Sequence, residues 1–170
     1  YRKRFGSKDS NLHSDFVWSR LQQNISLGNL GRLRYNARVG MFLEQKNIAF
    51  IDYYHPLANE IDLAPENRLS SFYLMPYYQF STNDTYAELH AEHNFNGFIL
   101  GKIPLINKLN FHLVGSAKGY FSSGRKPYTE YAIGIDNIGW GKWRFLRVDY
   151  VRSNYGGIKN EGFMFGLNLF

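Results

Sequence analysis

The chain has 170 residues with a formal net charge of +6, 14 Phe, 13 Tyr and no Cys, so disulfides and thiolate metal sites are excluded. Its basic residues (pI about 9.5) are spread over the chain without a dense patch. That argues against nucleic acid as a partner, whereas lining a lumen or facing anionic head groups accounts for such charge. No apolar run approaches the ~18 residues of a membrane helix, and many aromatics at a mean hydropathy of -0.39 suit a barrel, where lumen-facing and lipid-facing residues average out along each strand.

The sequence starts at Tyr1 without a leading methionine or signal peptide, as expected of a mature protein or a piece of a longer one. Tyr1–Asp15 is polar and basic and reads as a loop or the end of a preceding segment. From Arg20 to Asn29, Leu21, Gln23, Ile25 and Leu27 alternate with Arg20, Gln22, Asn24 and Ser26, the period of a two-faced strand. Phe16 and Trp18 just before it fit interfacial girdle aromatics and ordinary core aromatics equally well. Asn29-Leu30-Gly31 is a tight turn.

Next comes the cleanest alternation in the chain. Leu33, Tyr35, Ala37, Val39, Met41 and Leu43 share one parity, and Arg32, Arg34, Asn36, Arg38 and Glu44 share the other, with Phe42 the exception. The arginines fit a solvated lumen or the wet side of an open antiparallel sheet; the length of the run favours a barrel. Asn47–His55 is apolar on both parities and reads as a strand of unreadable register. His55–Arg68 is a long polar loop, assigned to the extracellular side, with the short Asn29–Gly31 turn on the periplasmic side.

Ser70–Ser81 is expected to be a strand, with Pro76 marking a bulge or an edge. Over Thr85–Asn96, Ala87, Leu89, Ala91 and His93 oppose Tyr86, Glu88, His90, Glu92 and Asn94. Glu88, His90 and Glu92 are the only grouping that resembles chemistry, since two carboxylates and an imidazole can bind a divalent metal or act as an acid/base pair. Spaced i, i+2, i+4 along a strand, they stand in a row roughly 7 Å apart and do not converge on one ion. The preferred reading makes them hydrated lumen residues paired with arginines such as those of the Arg32–Arg38 run.

Beyond Asn96-Gly97, the residues Leu100, Ile103, Leu105, Ile106 and Leu109 around Pro104 form a compact apolar turn at a barrel rim, placed in the lumen mouth or the head-group zone. Lys108–Ser122, Tyr128–Asn137, Trp143–Ser153 and Glu161–Phe170 are further strands. In the third, Leu146, Val148 and Tyr150 face away from Phe145, Arg147 and Asp149. Trp140 and Trp143 flank a glycine-rich turn as interface anchors. In the last run Phe163, Phe165, Leu167 and Leu169 oppose Met164, Gly166, Asn168 and Phe170, so the lipid-facing side stays open at this point.

AEHNFNGFILGKIPLINKL (Ala91–Leu109), together with Phe72–Asp84, Tyr128–Ile138 and Phe145–Val151, resembles the C-terminal part of DUF5686, a Bacteroidota family of large outer-membrane proteins. Its members usually carry an N-terminal carboxypeptidase-regulatory-like β-sandwich. The resemblance runs from Phe72 to Phe170 and is most specific from His93 through Lys102-Ile103-Pro104-Leu105, where Gly101 replaces the family's usual Asn. Ile51–Asn59 is a weaker echo that departs at Pro56 and Leu57. The resemblance implies location and architecture, not a reaction.

The expected fold is therefore all-β, an antiparallel transmembrane β-barrel spanning residues 1–170. It is the C-terminal part of a larger barrel or, alternatively, a complete barrel of about eight strands. The expected function is that of an integral protein of the cell outer membrane, a non-enzymatic scaffold or subunit of an envelope assembly or transport complex. A pore or carrier for small solutes, and a soluble β-sandwich binding module, are the alternatives. No catalytic, cofactor-binding or metal-ligating residue is assigned and no cofactor is expected. The expected partners are the outer-membrane bilayer with its lipopolysaccharide and other envelope proteins.

Overall fold

In the computed structural model, residues 2–5, 13–46, 48–65 and 67–167 are described. Eight strands form a single antiparallel sheet in chain order: β1 (Arg2–Phe5), β2 (His13–Ser26), β3 (Arg32–Lys46), β4 (Tyr86–Asn94), β5 (His112–Ser122), β6 (Tyr128–Trp140), β7 (Trp143–Tyr155) and β8 (Ile158–Leu167). No α-helix occurs among the described residues; short 3-10 turns make up the remaining helical elements. The all-β, antiparallel expectation holds. The sheet is open, however, with β1 and β8 at its two edges.

Period-two patterning explains both the length and the register. β2, β3, β6 and β7 run for 14, 15, 13 and 13 residues, well beyond the usual strand of about five to six. Arg34 pairs with Glu92, Asn36 with His90 and Arg38 with Glu88 across β3–β4, and Lys118 lies opposite both His90 and Glu130. Opposite charges facing each other across strands favour this register. A slip by one residue would carry every one of these groups to the other face.

One face of the sheet thus carries charge and the other carries Val17, Leu21, Val39, Leu89, Ile133 and Phe165 among its exposed apolar residues. The polar face also curls around itself. Glu92 on β4 and Arg147 on β7 meet at 2.9 Å although three strand spacings, ~14 Å in a flat sheet, separate their backbones. Leu33 and Val148 lie on the apolar face with Val39 and Leu146, and no second sheet packs on them among the described residues.

The segment 48–85 departs from expectation. Strands were expected over 47–55 and 70–81; instead the chain there runs through bends and turns and folds onto the polar face. Phe72, Tyr73 and Met75 are fully buried, and Phe72, Met75 and Phe80 build a cluster with Tyr86, Tyr120 and Tyr128 of the sheet. Pro76 cannot donate to a ladder, and Tyr78 takes a φ of 60°, which ends extended structure. Around Phe72–Met75, apolar residues on both parities mark a stretch covered on all sides, whereas Phe50 and Ile51 of the earlier stretch are exposed. Isolated bridges tie the segment down, Tyr54 to Thr82 and Leu63 to Phe165 on the β8 edge.

The N-terminal stretch is corrected as well. Part of 1–15, expected as loop, forms β1 and the beginning of β2, which continues past a bulge at Asp15/Phe16. Phe16 packs on Phe42 and Tyr86 beside the polar face, and Trp18 shares that face with Arg38, whose guanidinium lies 5.9 Å from the ring centroid. Neither is an outward girdle aromatic. In β8, Phe163, Phe165 and Leu167 join the apolar face through their pairing with Tyr150, Val148 and Leu146. The expectations for Asn168, Leu169 and Phe170 lie outside the described residues.

Candidate functional site

The Glu88/His90/Glu92 row sits on β4 at the centre of the polar face, and all three side chains are buried. They do not converge. Glu92 turns to two arginines, accepting a hydrogen bond from Arg34 on β3 and one at 2.9 Å from Arg147 on β7. His90 lies 3.9 Å from Glu88, too far for a hydrogen bond, and packs against Phe72 with ring centroids 4.7 Å apart and the planes tilted by 52°. Among the described residues no group of three His, Asp or Glu side chains is arranged to hold a metal ion. Pairing with an arginine of the Arg32–Arg38 run is as expected. The row is buried, with segment 48–85 covering it through Phe72.

Arg147 is the hub of this face. Its Nε and Nη2 donate at 2.7 Å to the two carboxylate oxygens of Asp149, and its Nη1 donates to Glu92. Forked pairing of this kind is the strongest arrangement a guanidinium offers, and it satisfies a charge that would otherwise be very costly to bury. Asp149 can lie flat because its neighbour across β6 is Gly134: a Cβ there would come within 2.1 Å of the Asp149 carboxylate. In the same way, a Cβ at Gly40 would strike the Tyr86 ring at 2.6 Å.

The remaining polar residues hold the covering segment by its backbone. The Lys118 ammonium donates to the Ser71 carbonyl at 2.6 Å and sits 3.1 Å from the centre of the Tyr73 ring. Glu130 accepts from the Tyr73 and Leu74 amides at 2.8 and 2.7 Å, and from the Tyr128 hydroxyl. Asn36 donates to the Leu69 carbonyl and Tyr120 to the Phe80 carbonyl. The irregular segment thus finds, in side chains of the sheet, partners for backbone groups that no ladder satisfies. Burial pushes the Tyr73 phenol above its ordinary pKa. The arrangement is a clamp in which Arg147, Lys118 and Glu130 are paired, while Glu88 Oε1 and both ring nitrogens of His90 are buried without a hydrogen-bond partner among the described residues.

This geometry accompanies a family assignment. The family described as "Family of unknown function (DUF5686) C-terminal domain" matches residues 1–135. The chain belongs to that family. The match takes in β1 to β3, upstream of the Phe72 where the resemblance was read, and ends within β6, so β7 and β8 lie beyond it. No curated protein and no solved structure matches the chain.

Toward the end of the sheet that carries the β2–β3 and β6–β7 turns, this DUF5686 C-terminal domain keeps an open cavity of about 1210 Å³ between the polar face and residues 63–69. Arg32, Arg34, Arg68 and Arg147 line it together with Asn94 and Asp136. Residues on the polar parity of the strands were legible as one face. That half of this face would be roofed by the chain's own loop was not.

Proposed function

We propose that this chain is part of the wall of an integral outer-membrane β-barrel, with segment 48–85 folded into the lumen as a plug. The barrel acts as a non-enzymatic scaffold or subunit of an envelope assembly or transport complex. The observation that carries this reading is inverted amphipathicity. Glu88, His90, Glu92, Lys118, Glu130, Arg147 and Asp149 are buried, while Val39, Met41, Leu89, Ile133 and Phe165 on the opposite face are exposed. In water, an apolar face spanning seven long strands is a liability. In hydrocarbon it is the required exterior, and strands of 13 to 15 residues exceed the roughly nine to eleven needed to cross.

Closure follows from the same physics. The edges of β1 and β8, the latter engaged at Phe165 by backbone hydrogen bonds with Asp62 and Ala64, are tolerable in a bilayer only when paired along their length, either with each other or with further strands of a larger barrel. Outer-membrane residence, a Bacteroidota source, and contacts with lipopolysaccharide and other envelope proteins belong to the same proposal.

The test is folding of the full chain in detergent and in vesicles. A barrel gives heat-modifiable migration on electrophoresis and protection from protease in the bilayer. A chain that stays monomeric and soluble without detergent would instead support a β-sandwich-like soluble binding module. A pore or carrier is the second reading, favoured by the arginine-lined cavity. Planar-bilayer recordings separate the two: the plugged scaffold is silent, whereas a pore conducts.

A further inference from the structure

The connection between β4 and β5 and the turn between β6 and β7 come together at one end of the sheet. Arg144 donates to the Leu109 carbonyl, and Asn137 to the Asn110 carbonyl at 2.7 Å. Three features of this end need a common explanation. First, large apolar side chains stand in the open: Leu105 is 79% exposed, Trp140 84% and Trp143 73%. Second, Leu105 takes a φ of 73°, a region that bulky residues avoid, so its exposed side chain stands on an unfavourable backbone conformation. Third, the charge there has one sign apart from Asp136, which is buried on the polar face beside Asn94: residues 95–110 and 137–146 contain Lys102, Lys108, Lys142 and Arg144 and no Asp or Glu. Lys102 lies 3.8 Å above the Phe98 ring, which keeps an ammonium beside the apolar turn.

Apolar side chains beside unopposed cations match a surface that is greasy below and anionic above, which is the head-group zone of a bilayer. We infer that this end of the sheet is an interfacial collar that selects anionic phospholipid. Leu105, Trp140 and Trp143 enter the acyl boundary, and Lys102, Lys108, Lys142 and Arg144 gather phosphate-bearing head groups around them. The inference rests on the membrane-barrel reading and extends it, because a barrel needs aromatics at its rim but no choice among lipids.

Trp140 and Trp143 are themselves the reporters. With Trp18→Phe removing the third tryptophan, the full chain is folded into phosphatidylcholine vesicles containing a minority of phosphatidylglycerol, with bromine on the acyl chains of either one lipid or the other. The collar predicts quenching by brominated phosphatidylglycerol about threefold above that lipid's share of the bilayer. The Lys102→Gln/Lys108→Gln/Lys142→Gln variant brings it back to that share. Protease protection, read on the same samples, reports insertion. A chain that fails to insert overturns the barrel reading and this inference together. A chain that inserts, yet is quenched only in proportion to lipid composition or not at all, overturns this inference alone.

Discussion

Arg147 shows how much of this molecule depends on single charges in dry places. Its guanidinium serves two carboxylates, so Arg147→Ala would strand Asp149 in a buried setting and leave Glu92 with Arg34 as its one remaining ion-pair partner among the described residues. The expected loss is about 3–5 kcal/mol in reversible urea unfolding from vesicles. Arg147→Lys should recover part of it, since a point charge replaces a planar fork. Gly134 belongs to the same unit. Gly134→Ala would push Asp149 out of the fork and cost about 1–3 kcal/mol, while Gly115→Ala on the apolar face, whose nearest neighbour is 4.0 Å away, should be close to neutral. Equal effects at the two glycines would disprove the role given to Gly134. The arginine and both acids were visible as polar-parity residues; the glycine was not, because its importance lies in a neighbour on another strand.

At the scale of elements, the strands and the covering segment obey different rules. Alternation sufficed for the strands, as in β3 and the Phe145–Tyr150 part of β7, where local pattern and final face agree, although next to it Val151 is buried and Arg152 exposed. Segment 48–85 has apolar residues on both parities and three prolines, and its conformation is set by distant side chains such as Lys118 and Glu130. No local signal names those partners. Glu130→Gln tests the clamp: an amide replaces one acceptor oxygen with a donor, leaving either the Tyr73 or the Leu74 N–H without a partner. Amide exchange at 72–75 should speed up about tenfold or more, as follows from losing a hydrogen bond to a charged group. Unchanged protection there would show that apolar packing of Phe72 and Met75 alone holds the segment.

Considered as a whole, the molecule has its charged residues inside and its greasy ones outside, and the solvent in which it works decides whether that is stable. Ile133 lies on the apolar face near the middle of β6. In a bilayer, Ile133→Arg should cost about 2–4 kcal/mol of folding free energy. On the surface of a soluble protein the same change stays within about 0.5 kcal/mol. Denaturation of the variant from vesicles therefore discriminates between the two environments, and a negligible effect would remove the lipid-facing assignment of this side of the sheet.

The linear sequence by itself determined β3 to β8 and part of β2, their two faces and the family, because a side-chain period of two and a short motif around Lys102-Ile103-Pro104-Leu105 are local properties that survive without any knowledge of neighbours. Only the tertiary structure decided that 48–85 turns inward, that Glu92 is shared by Arg34 and Arg147, and that Phe16 packs inside. Those outcomes depend on which backbone groups, charges and rings meet across a curled sheet, and residues far apart in the chain carry no mark of that meeting until the sheet has formed.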